Sequence, residues 1–305
     1  MLSFPLSMRA VIVALSICAL PLAAVSAAPT PAAGAIAAAP QAFAVRVEGQ
    51  GPPVILIPGL MCDGRVWNRT VTHLKDHYQC HVLSLAGFAG VPPVQGEFVP
   101  TMREAIVRYI REKKLAKPII VGHSLGGHLA LAVAVEAPAE VGPLVIVDGG
   151  AALGPLMAPG VPADAWARQT AMIRDAMANM NQAAFEAQNH MMLSQMVTDP
   201  HTAEVLAKEA GKSDVKTVAR ATYELMTADL RNAVAAIQSP VLLIGSAPFA
   251  KDAAAQAGAK ALYDDQIAKV PRHKVVMTYE ARHFVMQDAP EFFYGELDHF
   301  LAEAK

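Results

Sequence analysis
Two hydrophobic patterns alternate along the chain. Short apolar runs at Val54 to Ile57, Gln79 to Leu85, Ile119 to Val121, Leu144 to Val147, Val241 to Ile244 and His273 to Tyr279 read as strands. Runs such as Val54-Ile55-Leu56-Ile57 carry no polar alternation, as expected of strands covered on both faces of a parallel sheet. Between them lie stretches with apolar residues every three or four positions, the mark of helices packed by one face. Gly64 to Asp76, Met102 to Leu115, Leu125 to Ala137, Asp252 to Val270 and Pro290 to Ala304 are the predicted helices. Phe43 to Glu48 alternates apolar and polar like an edge strand, and Gly51-Pro52-Pro53 ends it. The expected fold is therefore α/β, a doubly wound, mostly parallel sheet. Ligands of such sheets bind beyond the carboxyl ends of the strands.

One stretch breaks the alternation. From residue 151 to 230 the pattern is helical throughout, rich in Ala, Met and Gln, with no strand candidate. This predicts an all-helical insertion into a core formed by 43–150 and 231–305. Eight methionines fall between Met157 and Met226, and methionine packs adaptably around irregular apolar shapes. They either line a pocket for an apolar group or fill the packing of the insertion itself.

With 305 residues, 53% hydrophobic and 17% charged, the chain can bury a large core as one domain plus the insertion. The net charge of −2 and the lack of a basic run argue against a nucleic-acid partner. Residues 1–27 carry Arg9, an apolar run from Ala10 to Val25 and the small residues Ser26-Ala27, the pattern of a signal peptide. The alternative is a retained membrane anchor, which the shortness of the run and Pro21 disfavour. A lipoprotein reading on Cys18 is disfavoured by the bulky Ile17 before it. Export to the periplasm or medium is expected, with no stable membrane insertion after cleavage. Residues 28–42, mostly Ala and Pro, read as a tether. Cys62 and Cys80 flank the first predicted helix, roughly 15 Å apart, and a disulfide needs about 7 Å or less between Cα atoms. Both are expected as free thiols.

The strongest chemical signal is Gly122-His123-Ser124-Leu125-Gly126, between an apolar strand and a helix. A sharp turn there needs glycine on both flanks, and the helix that follows points its N–H groups and positive dipole end at the turn. The segment resembles the nucleophile elbow of the alpha/beta-hydrolase family, and the resemblance extends over roughly Val45 to Leu301. It implies Ser124 as nucleophile and the inserted helices as a lid. It implies an oxyanion hole from the backbone N–H groups of Leu60, in Pro58-Gly59-Leu60-Met61, and of Leu125. His283, in the loop before the last helix, would be the general base.

The acid has two candidates. The usual place, after the strand that follows the insertion, reads Gly245-Ser246-Ala247-Pro248-Phe249 without a carboxylate. Asp148 ends the strand before the insertion, and Asp252 lies three residues beyond Phe249; Asp148 is preferred, with Asp252 kept open. Asp264, Asp265 and Asp288 read as surface groups. His123 is assigned to the turn, and His128 to the far side of the helix that follows it. No metal-ligand spacing and no dinucleotide fingerprint is present, so no cofactor is implied.

Two functions follow. One is an exported serine hydrolase acting on a small apolar ester-like substrate, with Ser124, His283 and Asp148 or Asp252 as its triad. The other is a non-catalytic small-molecule-binding protein on the same scaffold.

Overall fold
A computed structural model describes residues 41–304. The predicted signal peptide and the tether up to residue 40 lie outside the described residues. Seven strands, β1 (Phe43–Glu48), β2 (Pro53–Ile57), β3 (Gln79–Leu85), β4 (Ile119–His123), β5 (Leu144–Val147), β6 (Val241–Ser246) and β7 (His273–Thr278), form one sheet in the order β1-β3-β2-β4-β5-β6-β7. β1 runs antiparallel to β3 at one edge and every other pair is parallel. The continuous apolar runs sit in the middle: β4 and β5 are buried at every position.

The helices follow the predicted positions with shifted ends. A 3-10 turn at Gly64–Trp67, capped by the Asp63 side chain, leads into α1 (Asn68–Leu74). α2 (Phe98–Glu112) starts a turn earlier than its periodicity suggested. The free N–H groups of Phe98 and Val99 donate to the carboxylate of Glu224 at 2.8 and 2.7 Å, a cap supplied from 126 residues away. Pro100 is tolerated in that first turn, where no intrahelical N–H is required. α3 (Leu125–Glu136) is apolar on all sides and buried along nearly its whole length.

Between β5 and β6 the described chain is helical only: α4 (Leu153–Met157), α5 (Ala163–Ala178), α6 (Gln182–Met196), α7 (Pro200–Ala210) and α8 (Val215–Thr227). Asn181, Asp199 and Asp214 cap α6, α7 and α8, each accepting from the backbone N–H three residues on. Such a cap contributes about 1 kcal/mol. Leu230 N donates to Ala151 O at 2.9 Å and closes the helical segment at its base. Met172 and Met191 are 69% and 59% exposed, so neither lines an interior, whereas Met180, Met192, Met196 and Met226 pack against the core. The chain ends with α9 (Ala253–Ile267), the single turn α10 (Val285–Asp288) and α11 (Pro290–Glu303).

Cys62 and Cys80 are both free and buried. Burial, with the Asp63 charge adding to it, pushes the Cys62 thiol up to about 12. Burial likewise raises Cys80, to about 11. No helix among the described residues is long and apolar enough to cross a membrane.

Candidate active site
Ser124 stands between β4 and α3 with φ 54° and ψ −117°, a conformation costing a non-glycine residue about 1–3 kcal/mol. Its N–H donates to Val147 O on β5 at 2.9 Å, and its carbonyl accepts from Gly127 N and His128 N. The flanking glycines are a steric requirement. A Cβ at 122 would stand 2.2 Å from Gly126 O, and a Cβ at 126 would stand 2.2 Å from Ile57 O. Met61 and Asp148, beyond the ends of β2 and β5, also have positive φ, at 61° and 45°. Three neighbouring strand ends thus hold non-glycine residues in left-handed geometry, the kind of strain that collects at functional sites.

The loop after β2 lies against Ser124. Ile57 pairs with Gly122 in the β2–β4 ladder, and a Cβ on Gly59 would come within 3.2 Å of Ser124 Cβ and 2.8 Å of His123 Nδ1. Among the described residues, the N–H groups of Leu60 and Leu125 donate to no acceptor. Leu125 is the first residue of the buried α3, where the N–H has no partner within the helix.

His283 sits in the loop between β7 and α10. Its Nδ1 is 2.6 Å from Asp148 Oδ2. A carboxylate only accepts, so Nδ1 carries the proton and Nε2 is left with its lone pair. Asp148 is one residue past the β5 end that pairs with His123, which places it beside Ser124 on the adjacent strand. Its Oδ1 accepts from Ser246 N at 3.0 Å and from the Tyr263 hydroxyl at 2.5 Å. Asp252 is not part of this group. It is exposed and caps α9, accepting from Ala255 N at 2.8 Å, and among the described residues it makes no hydrogen bond to His283.

His123, read from the sequence as a turn residue, is the buried last residue of β4. Its ring centroid lies 4.5 Å from that of His283 and 4.6 Å from that of Phe284. Its Nε2–H donates to His283 O at 3.1 Å, which leaves Nδ1 as a buried acceptor without a partner. Burial first, and the neighbouring His283 second, lower its pKa well below the usual histidine value, so it stays neutral. His128 faces inward and donates from Nδ1 to Gly150 O at 3.1 Å.

The His283 loop is bonded to the helical segment on both sides. The Arg282 guanidinium donates to Ser194 O and Val197 O at 3.0 and 2.9 Å, and Phe284 N donates to Met196 O at 3.3 Å. Asp288 accepts from Arg282 N, Thr198 N and Thr198 Oγ1, all at 2.9 Å. The loop after β3 also meets this segment: Gly87 O accepts from Asp214 N at 2.8 Å and Ala89 N donates to Ser213 Oγ at 2.9 Å. The Ser124 hydroxyl makes no hydrogen bond to another described residue. Among the described residues, no three His, Cys, Asp or Glu side chains are grouped to hold a metal ion.

Comparison with known proteins gives three results. A family model described as "Alpha/beta hydrolase family" matches residues 54–296. The chain is similar to the pimeloyl-[acyl-carrier protein] methyl ester esterase of Vibrio campbellii, 31% identical over 99 residues, which is 32% of this chain and 37% of that protein. The same enzyme of Vibrio cholerae is 33% identical over 102 residues, 33% and 38% of the two chains. The matched stretch thus spans little more than a third of these curated relatives. Among solved structures, the chain is similar to a hydrolase from Pseudomonas aeruginosa, with a TM-score of 0.70, 20% identity and coverage of 85% of this chain and 94% of the other. It is also similar to a thermophilic esterase from Thermogutta terrifontis, with a TM-score of 0.69, 18% identity and coverage of 86% and 93%. At such identities these structures establish the fold alone.

Proposed function
Because the chain belongs to the alpha/beta hydrolase family, we propose that it is an exported serine hydrolase that cleaves small carboxylic esters through an acyl-enzyme. The observation that carries this reading is the hydrogen-bonded Asp148–His283 pair at the strand end beside Ser124. A serine hydroxyl is a weak nucleophile until a base removes its proton. His283 Nε2 is that base, since Nδ1 is committed to Asp148. As Ser124 Oγ bonds to the ester carbon, its proton moves to Nε2, and Asp148 stabilises the imidazolium. The negative charge on the former carbonyl oxygen is held by the N–H groups of Leu60 and Leu125 and by the dipole of α3. The alcohol leaves with the proton from Nε2. Water then attacks the acyl group by the same route in reverse, restoring Ser124.

The unengaged amides of Leu60 and Leu125 support this assignment, as does the strain at Ser124. Helices α4–α8 act as a lid over the strand ends, with Met192 and Met196 among its inward side chains. The likeness to methyl ester esterases favours a small alcohol as leaving group. Export follows from the charged start and apolar run of residues 1–27.

The free Ser124 hydroxyl is the one observation that favours a binding protein instead. Catalytic hydrogen bonds commonly tighten only once substrate is bound, so it is equally expected of an enzyme at rest. Turnover of p-nitrophenyl butyrate decides between them. Wild type should hydrolyse it and Ser124→Ala should lose at least about 10³ of kcat; full turnover by Ser124→Ala would overturn the proposal.

A further inference from the structure
We propose that Tyr263, on α9, is a positioning residue that acts through Asp148, fixing the carboxylate so that Oδ2 faces His283. The inference rests on the reading of Asp148 as the acid partner of His283.

Asp148 needs more support than its bond to His283 provides. It holds a positive φ of 45° just beyond the end of β5, and the closely packed Gly149 and Gly150 that follow offer no side chain to brace its carboxylate. A carboxylate anchored through one oxygen can rotate about its Cβ–Cγ bond and carry the imidazole with it. Here Oδ1 is anchored by two donors of different origin, Ser246 N–H from the end of β6 and the Tyr263 hydroxyl. That hydroxyl also lies 3.2 Å from Ser246 O, so its ring is located against the same strand end. Burial and the Asp148 charge raise the phenol well above its ordinary range, which keeps it a neutral donor at any working pH.

The surroundings are shaped for this contact. A Cβ on Gly245 would stand 2.8 Å from the Tyr263 ring, so the phenol reaches Asp148 only because position 245 lacks a side chain. One turn along α9, Gln266 is buried and its Oε1 accepts from Ala152 N at 2.8 Å. The same oxygen is 2.6 Å from where a Cβ on Gly150 would be. Residues 263 and 266 share one helix face, so α9 grips the segment 148–152 at both ends. Residues 247–251, directly after β6, contain no carboxylate, and Ser246 at the end of that strand donates its N–H to Asp148. Tyr263 and Ser246 together build a seat for an acid that arrives from the neighbouring strand.

The effect on catalysis has a definite sign. Among the described residues, the titratable groups in contact with the Asp148–His283 pair are Tyr263 from α9 and neutral His123 from β4. Arg282 is next in sequence, but its guanidinium is engaged with Ser194 O and Val197 O, and Asp288 is engaged with Thr198 and Arg282 N. Removing the phenol O–H leaves more of the Asp148 charge on Oδ2, which stabilises protonated His283. The acid-side midpoint of the kcat/KM profile should then move to higher pH. Looser geometry should lower kcat without changing how substrate binds.

The test uses p-nitrophenyl butyrate and the full chain. Tyr263→Phe should lower kcat ten- to a hundredfold, leave KM within twofold, and raise the acid-side midpoint by several tenths of a pH unit. In an Asp148→Asn background the same substitution should cost less than twofold, because the group that it acts through is gone. Site-specific 3-fluorotyrosine at 263 keeps the shape and strengthens the donor, and should move the midpoint the other way. It covers the case in which Tyr263→Phe does not fold. If neither variant moves the midpoint while wild type turns over, Tyr263 is structural and the inference falls. If wild type neither turns over nor is labelled at Ser124 by a fluorophosphonate, the hydrolase reading has failed first.

Discussion

His283 Nδ1 and Asp148 Oδ2 meet at 2.6 Å across 135 positions of sequence. The contact joins the loop after β7 to the end of β5, two strands that are not neighbours, with β6 lying between them. Asp148→Asn keeps the side-chain shape but offers Nδ1 an amide in place of a carboxylate, so the imidazole loses both its tautomer and its counter-charge. A fall in kcat of roughly 10³–10⁴ is expected. Asp252→Asn should leave kcat within twofold, because its carboxylate only caps α9. Kinetics on the two variants side by side check this, and equal losses would refute the assignment.

Arg282 ties the His283 loop to the carbonyl end of α6 through two charge-assisted hydrogen bonds. Bonds of this kind contribute about 1.5–3 kcal/mol each when both partners are in place. Arg282→Ala should therefore free the loop and lower kcat/KM about tenfold or more, with a smaller effect on the unfolding midpoint. Unchanged kcat/KM would mean that Phe284 N and Asp288 hold the loop without it.

Gly126 lies so close to β2 that an added Cβ would be 2.2 Å from Ile57 O. Backbone must move to admit it. Gly126→Ala should destabilise the fold by about 2 kcal/mol or more and lower activity further by displacing Leu125 N. Thermal unfolding of the variant measures the first effect, and a Tm equal to wild type would contradict the packing described.

His123 and His128 are buried neutral, and burial is the main cause that lowers both below the ordinary 6.5. In the unfolded chain they protonate near that value, so below it the unfolded state binds more protons than the folded state. Stability is then complete above about pH 6.5 and declines as pH falls, by up to about 1.4 kcal/mol per pH unit for each proton. Urea midpoints should be flat from pH 8 to 7 and drop between pH 6.5 and 5. A midpoint that stays level across that lower window would show that these histidines are solvated.

Much of the architecture could be read before any coordinates. The continuous apolar runs of β2, β4 and β5 and the alternation of β1 announce a parallel sheet with one edge strand, because burial on both faces leaves no room for polar positions. The Gly122 and Gly126 flanks were legible for the same reason, since steric exclusion leaves a mark in residue type. The sequence favours Asp148 over Asp252 without deciding between them. Both carboxylates follow strand ends at plausible distances along the chain, and the difference lies in the β5–β6 register and in Tyr263, whose ring fits only beside Gly245. The cap on α2 was hidden too, because Glu224 comes from a helix more than a hundred residues later. The sequence assigns His123 to the turn, because its bond to His283 O depends on a loop placed by tertiary packing.

Covalent labelling with a fluorophosphonate, located by peptide mass spectrometry, tests the central claim most directly. The reagent reacts with a serine whose proton is removed by a neighbouring base and whose oxyanion is held by amide donors. Expected is a single adduct on Ser124 in the wild-type protein, slowed by several orders of magnitude in His283→Ala. An unlabelled Ser124 in folded wild type, or labelling at the same rate without His283, would contradict it.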